Sequence, residues 1–552
     1  MMDVSRVSGR LILLAAFIGV AILTVLAYFP GMSAGFYFDD EPNLLDPDAM
    51  QWADFSIETL RRTLTEATMP SRPVANVSLA INHLFSALEA APYHWTNLVI
   101  HLAAGLALFW VIRLFQRYHV AEQGGEWLAL LAVLLFLVHP LNIQAVTYVV
   151  QRMTSMAALF FLLGVGSYLV GRFHESPSRR LAWFALAALS LVLSIGSKET
   201  GYLLLPLLLL YEVCFHRVEW RTWCLTKLSA SARAAVLAAA GIAVLLWALF
   251  AWYLLDGRIY WLDTIPGRDF SGYERVLTQA RVQFLYLSLL LWPSPSRLNI
   301  DHDSLISRGL LDPATTALAL AGWLLVLVFA LRNLSSRPQL AFPLLGYLLL
   351  HSMESAPISL ELMFEHRMYL PMTILALLIP LNLGPLVKKH GRTINAALLI
   401  IGLLLSTATY QRNLVWGDPV TFFRDTALKS PNKFRPQYNL GTHLGPMGML
   451  QEAKTALEKA IELKPDHSEA HNQLANIYML AKQHDAAEQH YGLAVKHNPK
   501  NAEALFNLAA LFASQQRYDE QRKLLEQFIL HAPPYLETQK RWAIHYLERS
   551  HP

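Results

Sequence analysis

Three adjacent acidic residues near the N-terminus have side chains suited to general base catalysis or to cation binding. Asp39, Asp40 and Glu41 follow Phe38 and precede Pro42. Neighbouring carboxylates repel each other, and this repulsion can raise one pKa into the range that is useful for general base catalysis. The same residues would also suit an ordinary solvated turn. A Mg²⁺ or Mn²⁺ site is the weaker interpretation, because hard cations prefer more oxygen ligands than one tripeptide supplies. We therefore expect no bound metal.

Cationic and polar residues recur in four later groups. They are Arg72 with His94, Asn97 and His101; His139 with Arg152; Lys198 with Glu199; and Glu365, His366 and Arg367. The cations are candidates to hold a phosphate group. Asn97 and His101, four residues apart, would also suit an interhelical hydrogen bond. Lys198 and Glu199 could simply neutralise each other.

The composition indicates that most of the chain lies in a membrane. The 552 residues are 54% hydrophobic and 16% charged, whereas soluble proteins contain about 25% charged residues. The mean hydropathy is +0.33. Two cysteines, Cys214 and Cys224, are too few for a disulfide framework. A net charge of +4 without a basic cluster does not favour nucleic acid as a partner.

Apolar runs of spanning length predict an all-α membrane domain with about eleven spans. They lie near 11–29, 95–115, 125–138, 155–172, 181–196, 200–216, 233–255, 313–331, 338–353, 369–386 and 393–410. Basic residues of the short loops mark the cytoplasmic side, and the acid-rich segment 31–94 is expected outside. Parity then requires 276–292 to be a re-entrant or interfacial helix, and places the C-terminus outside. Residues 197–200 would form the outer tip of a hairpin.

A repeat follows the last predicted span. Pro431, Pro465, Pro499 and Pro533 are spaced 34 residues apart, which is the period of tetratricopeptide repeats. This spacing predicts repeats at 434–467, 468–501 and 502–535, with a capping helix at 536–549. The predicted domains are a membrane part at 1–410, a connecting helix at 411–433 and the repeats at 434–552.

The predicted concave face of the repeats offers a surface for a protein partner. Its residues are Arg435, Tyr438, Asn472, Asn476 and Phe506. These side chains could bind an acceptor peptide, and they would equally suit a solvated groove that only stabilises the array.

By the predicted topology, all the polar groups of the membrane part face outward. A cavity with carboxylates, Lys and Arg next to lipid suits the transfer of a sugar from a lipid-phosphate carrier. The cations would hold the phosphate, and a carboxylate would take the proton of an acceptor hydroxyl. The sequence contains no Walker-type glycine-rich loop for a soluble nucleotide donor.

Taken in order, these motifs resemble the transmembrane and tetratricopeptide-repeat O-mannosyltransferases, within the C-type superfamily of membrane glycosyltransferases. The similarity runs from about residue 36 to residue 535. It is carried by Phe38-Asp39-Asp40, Arg72-Pro73, Tyr93-His94 with Asn97 and His101, His139-Pro140 with Arg152, Ser197-Lys198-Glu199-Thr200-Gly201, Glu365 with Tyr369-Leu370-Pro371, Arg412-Asn413 with Trp416, and the repeats.

The resemblance implies inverting transfer of a sugar from a lipid-phosphate donor to Ser or Thr hydroxyls of proteins. It places the catalytic acids at Asp39 and Asp40. Arg72, Arg152, Lys198 and Arg367 are our candidates for the donor phosphate. His366 stands between Glu365 and Arg367, where the animal pattern has Arg directly after Glu, and the array has only three repeats. These departures favour a bacterial relative, for which we expect a polyprenyl-phosphate carrier and repeats in the periplasm. The resemblance implies a mannose-like hexose as the sugar, and the departures leave the identity of the sugar open.

Two other functions stay open at this stage. The same chemistry could act on a lipid or glycan acceptor, or the protein could be a non-catalytic membrane scaffold that recruits partners through its repeats. The acidic group together with the outward cations favours an enzyme, because a scaffold needs neither.

Overall fold

The computed structural model describes residues 4–120, 125–227, 229–232, 235, 241 and 262–549. Over these residues the regular elements are helices, and an isolated β-bridge joins Thr264 to Ser271. No β-strand occurs in the described ranges. The predicted all-α class is therefore confirmed.

The chain divides into two compact units. The first comprises Met1–Ile300 and Ser304–Asp418, and the second comprises Asp301–Asp303 and Pro419–Pro552. The described α-helices of the first unit are α1 (Val4–Tyr28), α2 (Ile57–Glu66), α3 (Pro73–Ser86), α4 (Ala90–His119), α5 (Gly125–Leu137), α6 (Ile143–Val146), α7 (Arg152–Phe173), α8 (Pro177–Ser197), α9 (Leu204–Phe215), α10 (Arg217–Lys227), α11 (Gly272–Leu291), α12 (Thr315–Arg332), α13 (Pro338–Ser352), α14 (Tyr369–Leu375), α15 (Leu378–Asn382) and α16 (Gly384–Gly417).

Six stretches of the described chain are helical, long and apolar enough to cross a membrane. They are Leu11–Ser33, Ala90–His119, Val149–Phe173, Pro177–Ser197, Thr315–Arg332 and Gly384–Gly417. Two bent pairs, Gly125–Leu137 with Pro140–Val146 and Glu199–Phe215 with Arg217–Lys227, raise the number to at most eight. These helices support a multi-pass membrane protein. The predicted span at 233–255 lies outside the described residues.

Two predicted spans are shorter helices in the structure. The helix that covers 338–353 is α13, with 15 residues, and the run 369–386 is divided between α14, with 7 residues, and α15, with 5. Pro380 lacks the amide hydrogen that a continuous helix would donate to Ala376, which accounts for the break. The segment 276–292 lies in α11, and its entry into the bilayer stays a prediction.

The chain turns sharply between α8 and α9. The first helix ends at Ser197, and a short 3-10 helix, Glu199–Leu203, leads into the second. A Cβ atom at Gly201 would lie 2.5 Å from backbone atoms of Ser194 and Ile195, so the close approach requires glycine. The turn therefore places Lys198 and Glu199 at the ends of two helices.

The second unit contains helix pairs at the predicted period. Its helices are α17 (Pro419–Lys429), α18 (Phe434–Leu444), α19 (Leu450–Leu463), α20 (Ser468–Leu480), α21 (His484–His497), α22 (Ala502–Ser514), α23 (Tyr518–His531) and α24 (Glu537–Arg549). Ala453 and Ala460 are fully buried where α18 and α19 pack. Small residues at the same position of each repeat let the paired helices approach closely, and this requirement makes the repeat recognisable in the sequence.

A pair of histidines joins the two helices of the second repeat. The Nδ1 atoms of His471 on α20 and His490 on α21 are 3.0 Å apart, and Nε2 of His471 lies 3.0 Å from the carbonyl oxygen of Pro465. Because a carbonyl oxygen only accepts, Nε2 of His471 carries the hydrogen and Nδ1 of the neutral ring accepts from His490. Burial lowers the pKa of His490 to about 4 and also lowers that of His471.

We predict that acid loosens this repeat. The folded-state pKa values lie below the unfolded value of about 6.5, so the stability present above that pH is lost as the pH falls toward the folded pKa. Hydrogen exchange of α20 and α21 in the full chain, corrected for intrinsic rates, should accelerate between about pH 7 and about pH 5. His490→Gln should reduce this effect, and exposed His545→Gln should not. The same acceleration in all three proteins would contradict the assignment.

Candidate active site

A buried segment of irregular backbone lies between α5 and α7. This inner segment, residues 138–151, contains only α6 and two short 3-10 helices, and every residue from 136 to 158 is buried. Side chains from distant parts of the chain bind its carbonyl groups. Asn97 donates to the oxygens of Val146 and Val149 at 3.0 and 3.2 Å, and Thr409 donates to that of Val138 at 2.7 Å. These bonds fix the segment on which the acidic loop rests.

Asp40 attaches the acidic loop to the inner segment. Its buried carboxylate accepts hydrogen bonds from the amide of Val150 at 2.7 Å and from that of Tyr37 at 2.9 Å. Burial raises the pKa of Asp40 to about 8, although the amide donors act in the opposite direction. Since both oxygens are occupied and the residue has no exposed surface, an incoming hydroxyl has no access to it. The structure favours a positioning role for Asp40 rather than that of the base.

Asp39 has different surroundings. Its backbone amide donates to the Tyr148 hydroxyl at 2.7 Å, which fixes the residue. Within the described chain its partly exposed carboxylate has no hydrogen bond or ion pair. Phe38 has a φ of +46°, a left-handed conformation that costs free energy in a non-glycine residue and is concentrated at functional sites. Glu41 is exposed. Asp39 is therefore the acidic residue best placed to accept a proton.

Arg152 has its guanidinium occupied by the protein. The fully buried side chain donates from Nε to Asn97 Oδ1 at 2.6 Å, from Nη1 to the carbonyl of Ser78 at 2.8 Å and from Nη2 to that of Tyr93 at 3.1 Å. These bonds join α3, α4 and α7. The arrangement argues against the predicted phosphate-binding role and favours a structural one.

Arg72 and Lys198 are each paired with a carboxylate. Glu199 accepts from Arg72 Nε at 3.0 Å and from the Ser71 hydroxyl at 2.8 Å. Lys198 Nζ lies 3.2 Å from Glu354 and donates to the hydroxyl of Thr154 at 3.1 Å. Both Lys198 and Glu354 are buried. The two cations are thus held in place, with their charges largely balanced.

Arg367 is the least neutralised of the predicted phosphate ligands. Its Nη1 donates to the carbonyl of Glu361 at 2.7 Å, and its guanidinium lies 5.3 Å from the centre of the Phe364 ring. Among the described residues no carboxylate forms an ion pair with it. Arg72 and Lys198 are each paired with a carboxylate, which leaves Arg367 as the cation of this group without an ion-pair partner among the described residues. Such a guanidinium suits a phosphate anion.

The acidic loop and the cations meet near the start of α7. Tyr148 and Val150 hold the acidic residues, while the Met153 sulfur contacts Arg72 and Thr154 contacts Lys198. Tyr148 and Thr154 are six residues apart in the chain, so these attachments lie at neighbouring positions. His366, next to Arg367, contacts Gln144 of the same inner segment. The segments that carry Asp39, Arg72, Lys198 and Arg367 are therefore all anchored between residues 144 and 154.

The predicted histidines of the membrane part hold backbone carbonyl groups. The Nε2 atoms donate as follows: His94 to Ala34 at 2.9 Å, His101 to Leu137 at 2.9 Å and His139 to Leu290 at 3.0 Å. All three side chains are buried. These contacts indicate a structural role, which leaves the proton transfer to a carboxylate.

Glu365 and His366 likewise organise the chain around the site. The Glu365 carboxylate accepts from the amide of Asn299 at 2.7 Å, and Nδ1 of His366 lies 3.3 Å from Oε1 of Gln144 in the inner segment. The two contacts hold the turn that carries Arg367. These contacts favour a structural role for Glu365 and His366 rather than a catalytic one.

In the second unit, Arg435, one of the residues predicted to bind the acceptor protein, already forms an ion pair within the unit. Arg435 forms an ion pair with Asp301 at 3.1 Å, beside Lys433, so its role is structural. The amide oxygens of Asn472 and Asn476 each accept from Asn507 at 3.2 Å. The Tyr438 ring stacks on Phe434 with centroids 5.5 Å apart. The asparagines form a continuous amide ladder across two repeats.

Three site residues have no assigned role in the sequence analysis. Tyr148 contacts Asp39, while Thr154 and Glu354 both contact Lys198. Glu354 stands out in the sequence as an acidic residue at the end of an apolar run, where it needs a partner, but the sequence does not identify Lys198 as that partner. Tyr148 and Thr154 carry no such signal, since their types are ordinary in any buried segment.

Comparisons with known proteins cover both units. Models of the tetratricopeptide repeat match residues 447–494 and 485–536, so the presence of tetratricopeptide repeats in this part of the chain is confirmed. The protein O-mannosyl-transferase Tmtc3 of Drosophila melanogaster is 24% identical, over 95% of this chain and 65% of that protein. F38B6.6 of Caenorhabditis elegans, also named a protein O-mannosyl-transferase, is 23% identical over 81% of this chain and 62% of its own length. TMTC2 of Mus musculus is 29% identical over 42% of this chain and 27% of its own length.

The predicted resemblance is confirmed by these names. The chain is similar to transmembrane and tetratricopeptide-repeat proteins that are named O-mannosyl-transferases. It spans less than two thirds of the length of these relatives, 65% at most.

Proposed function

We propose that this protein transfers a sugar from a polyprenyl-phosphate carrier to Ser or Thr hydroxyls of proteins. One observation carries the proposal: Asp39 presents a partly exposed carboxylate without a partner in the described chain, and its loop is attached at Tyr148 to the stretch of chain whose Met153 and Thr154 contact Arg72 and Lys198. The names of the relatives support a mannose-like hexose as the sugar.

The proposed reaction uses these groups in separate roles. Asp39 takes the proton of the acceptor hydroxyl while the hydroxyl oxygen attacks the anomeric carbon. The bond from that carbon to the phosphate oxygen breaks on the opposite face, and the configuration inverts. Arg367 binds the carrier phosphate of the donor, with Lys198 and Arg72 nearby, and the phosphate leaves as an anion. Asp40 and Tyr148 hold the base in position.

The two aspartates should respond differently to the same substitution. Asp39→Asn should reduce kcat about 10²- to 10⁴-fold because it removes the base, with the protein still folded. Asp40→Asn should instead lower the free energy of unfolding by about 1–3 kcal/mol, because one buried amide donor loses its acceptor. Transfer to an acceptor peptide and denaturation in detergent measure the two effects.

Glu41→Gln is the matched control, since Glu41 is an adjacent but exposed acid. It should change neither quantity appreciably. Full transfer activity in Asp39→Asn would exclude the carboxylate mechanism. Loss of activity in all three variants, without any difference in stability, would indicate that the loop acts only as a unit.

Arg367 should contribute mainly to donor binding. Arg367→Ala should raise KM for the lipid-linked sugar about 10- to 100-fold, because losing a hydrogen bond to a charged group weakens binding by about this factor. KM for the acceptor should not change. Arg332→Ala, at the exposed end of α12, serves as the control. Steady-state kinetics with varied donor would refute the role if both variants behave alike.

We assign acceptor recruitment to the repeats, on the outer side of a bacterial inner membrane. The partly exposed amide groups of Asn476 and Asn507 can bind backbone amides of an extended segment, and Tyr438 offers an aromatic face, while buried Asn472 holds Asn507 in place. Such recognition suits acceptors of varied sequence, because it uses the peptide backbone.

Removing the repeat surface should separate recruitment from chemistry. Tyr438→Ala combined with Asn476→Ala should reduce sugar incorporation into envelope proteins, while transfer to a short hydroxyl peptide or slow donor hydrolysis persists. Lys496→Ala, exposed on α21, is the control. Intact-mass analysis of envelope proteins gives the readout. Normal protein modification by the double variant would contradict the recruitment role.

A further inference from the structure

Four strongly exposed apolar side chains lie in the segment between α1 and α4. Their exposed fractions are 72% for Phe55, 89% for Ile57, 83% for Phe85 and 47% for Leu88. We refer to these four residues as the apolar tip. Exposed apolar groups that cluster in this way mark a contact surface, whereas single ones are ordinary.

One buried tryptophan brings the parts of the apolar tip together. The ring of Trp52 contacts that of Phe55, with centroids 5.6 Å apart, and its carbonyl oxygen lies 3.0 Å from Nδ1 of His83, two residues before Phe85. Its indole nitrogen donates to the hydroxyl of Thr63 on α2 at 2.7 Å. Residues 52–57 and the end of α3 are therefore fixed beside each other.

The apolar tip adjoins a candidate membrane span. On α4 the exposed apolar residues are Trp95, Val99 and Leu106, at 40%, 61% and 60%. Spacings of four and seven residues put them on one helix face, and α4 is a candidate span. Leu88 lies in the turn between α3 and α4, three residues after Phe85 and two residues before α4 begins, so the apolar tip adjoins the start of this helix.

We propose that the apolar tip inserts into the interfacial layer of the bilayer at the end of the membrane where α4 begins. Lipid is the occupant favoured over a protein because the apolar tip lies at the start of α4, whose exposed apolar residues belong to a candidate membrane span. The adjacent charges of α2 are paired, Arg61 with Glu58 and Arg62 with Glu66, so they offer no strong field to a charged protein partner. Aromatic and aliphatic side chains beside neutralised charges suit the headgroup boundary.

This placement connects the lipid surface to the candidate active site. Arg72 directly precedes α3, whose 14 residues span about 21 Å and end at the apolar tip. The helix would therefore set the depth of the Arg72–Glu199 pair relative to lipid phosphates. Only this consequence rests on the proposed function; the insertion itself does not.

Spin-label accessibility in bilayers tests the insertion. In the full chain with Cys214→Ala and Cys224→Ala, single cysteines are introduced by Ile57→Cys, Phe85→Cys or Thr65→Cys and labelled with a nitroxide. Thr65, exposed and polar on α2, is the control. In phosphatidylcholine nanodiscs, labels at 57 and 85 should collide more with oxygen than with a water-soluble nickel chelate. The label at 65 should show the opposite preference.

Two results would overturn the proposal. Nickel accessibility at 57 and 85 equal to that at 65 would place the apolar tip in water, and shielding from both reagents would place it against protein. Because both side chains are exposed, the variants should keep the helical circular dichroism of the parent, and the two positions give independent measurements. No sugar transfer is measured, so failure here is distinct from failure of the proposed function.

Discussion

Buried backbone groups of the inner segment must find hydrogen-bond partners, and this constraint organises the membrane unit. Residues 138–151 lie in the interior without a continuous helix, so their carbonyl and amide groups cannot all bond within the segment. Leaving such a group unpaired costs several kcal/mol. Asn97, Thr409 and Asp40 supply the missing partners, and each comes from a different part of the chain. Irregular backbone is thereby held rigidly enough to support a site.

The same constraint divides the work between two neighbouring acids. Asp40 is used to satisfy buried amides, and its loop then presents Asp39 with its carboxylate unengaged. The donors of Arg152 are likewise occupied by hydrogen bonds within the protein, although its charge suggested that it binds the donor phosphate. Buried ion pairs such as Lys198–Glu354 recover only part of the cost of desolvation. Their value here is to keep cations at a fixed place near the base.

Much of the fold is predictable because its signals are local. The repeat period follows from small and apolar residues at fixed phase, and α17, α24 and the repeat helices lie close to the predicted ranges. Long apolar runs identify α1, α4, α7, α8, α12 and α16 for the same reason. Hydropathy is blind to the missing backbone amide hydrogen of a proline. The apolar run 369–386 therefore predicts one span, whereas in the structure the helix is interrupted before Pro380.

The sequence also identifies which residue types gather around the site, because charged and polar groups are rare in an apolar chain and each needs a reason. The sequence does not show which of these residues takes part in the chemistry and which is structural. Asp39 and Asp40 are adjacent and chemically identical. Only the folded chain shows that the carboxylate of Asp40 faces two amides, while that of Asp39 has no partner among the described residues. Glu354 and Lys198 are far apart in sequence, as are Arg152 and Asn97, and no local pattern records such pairs. Residue type sets what each group can do, but burial and partners, which depend on distant segments, decide what it does.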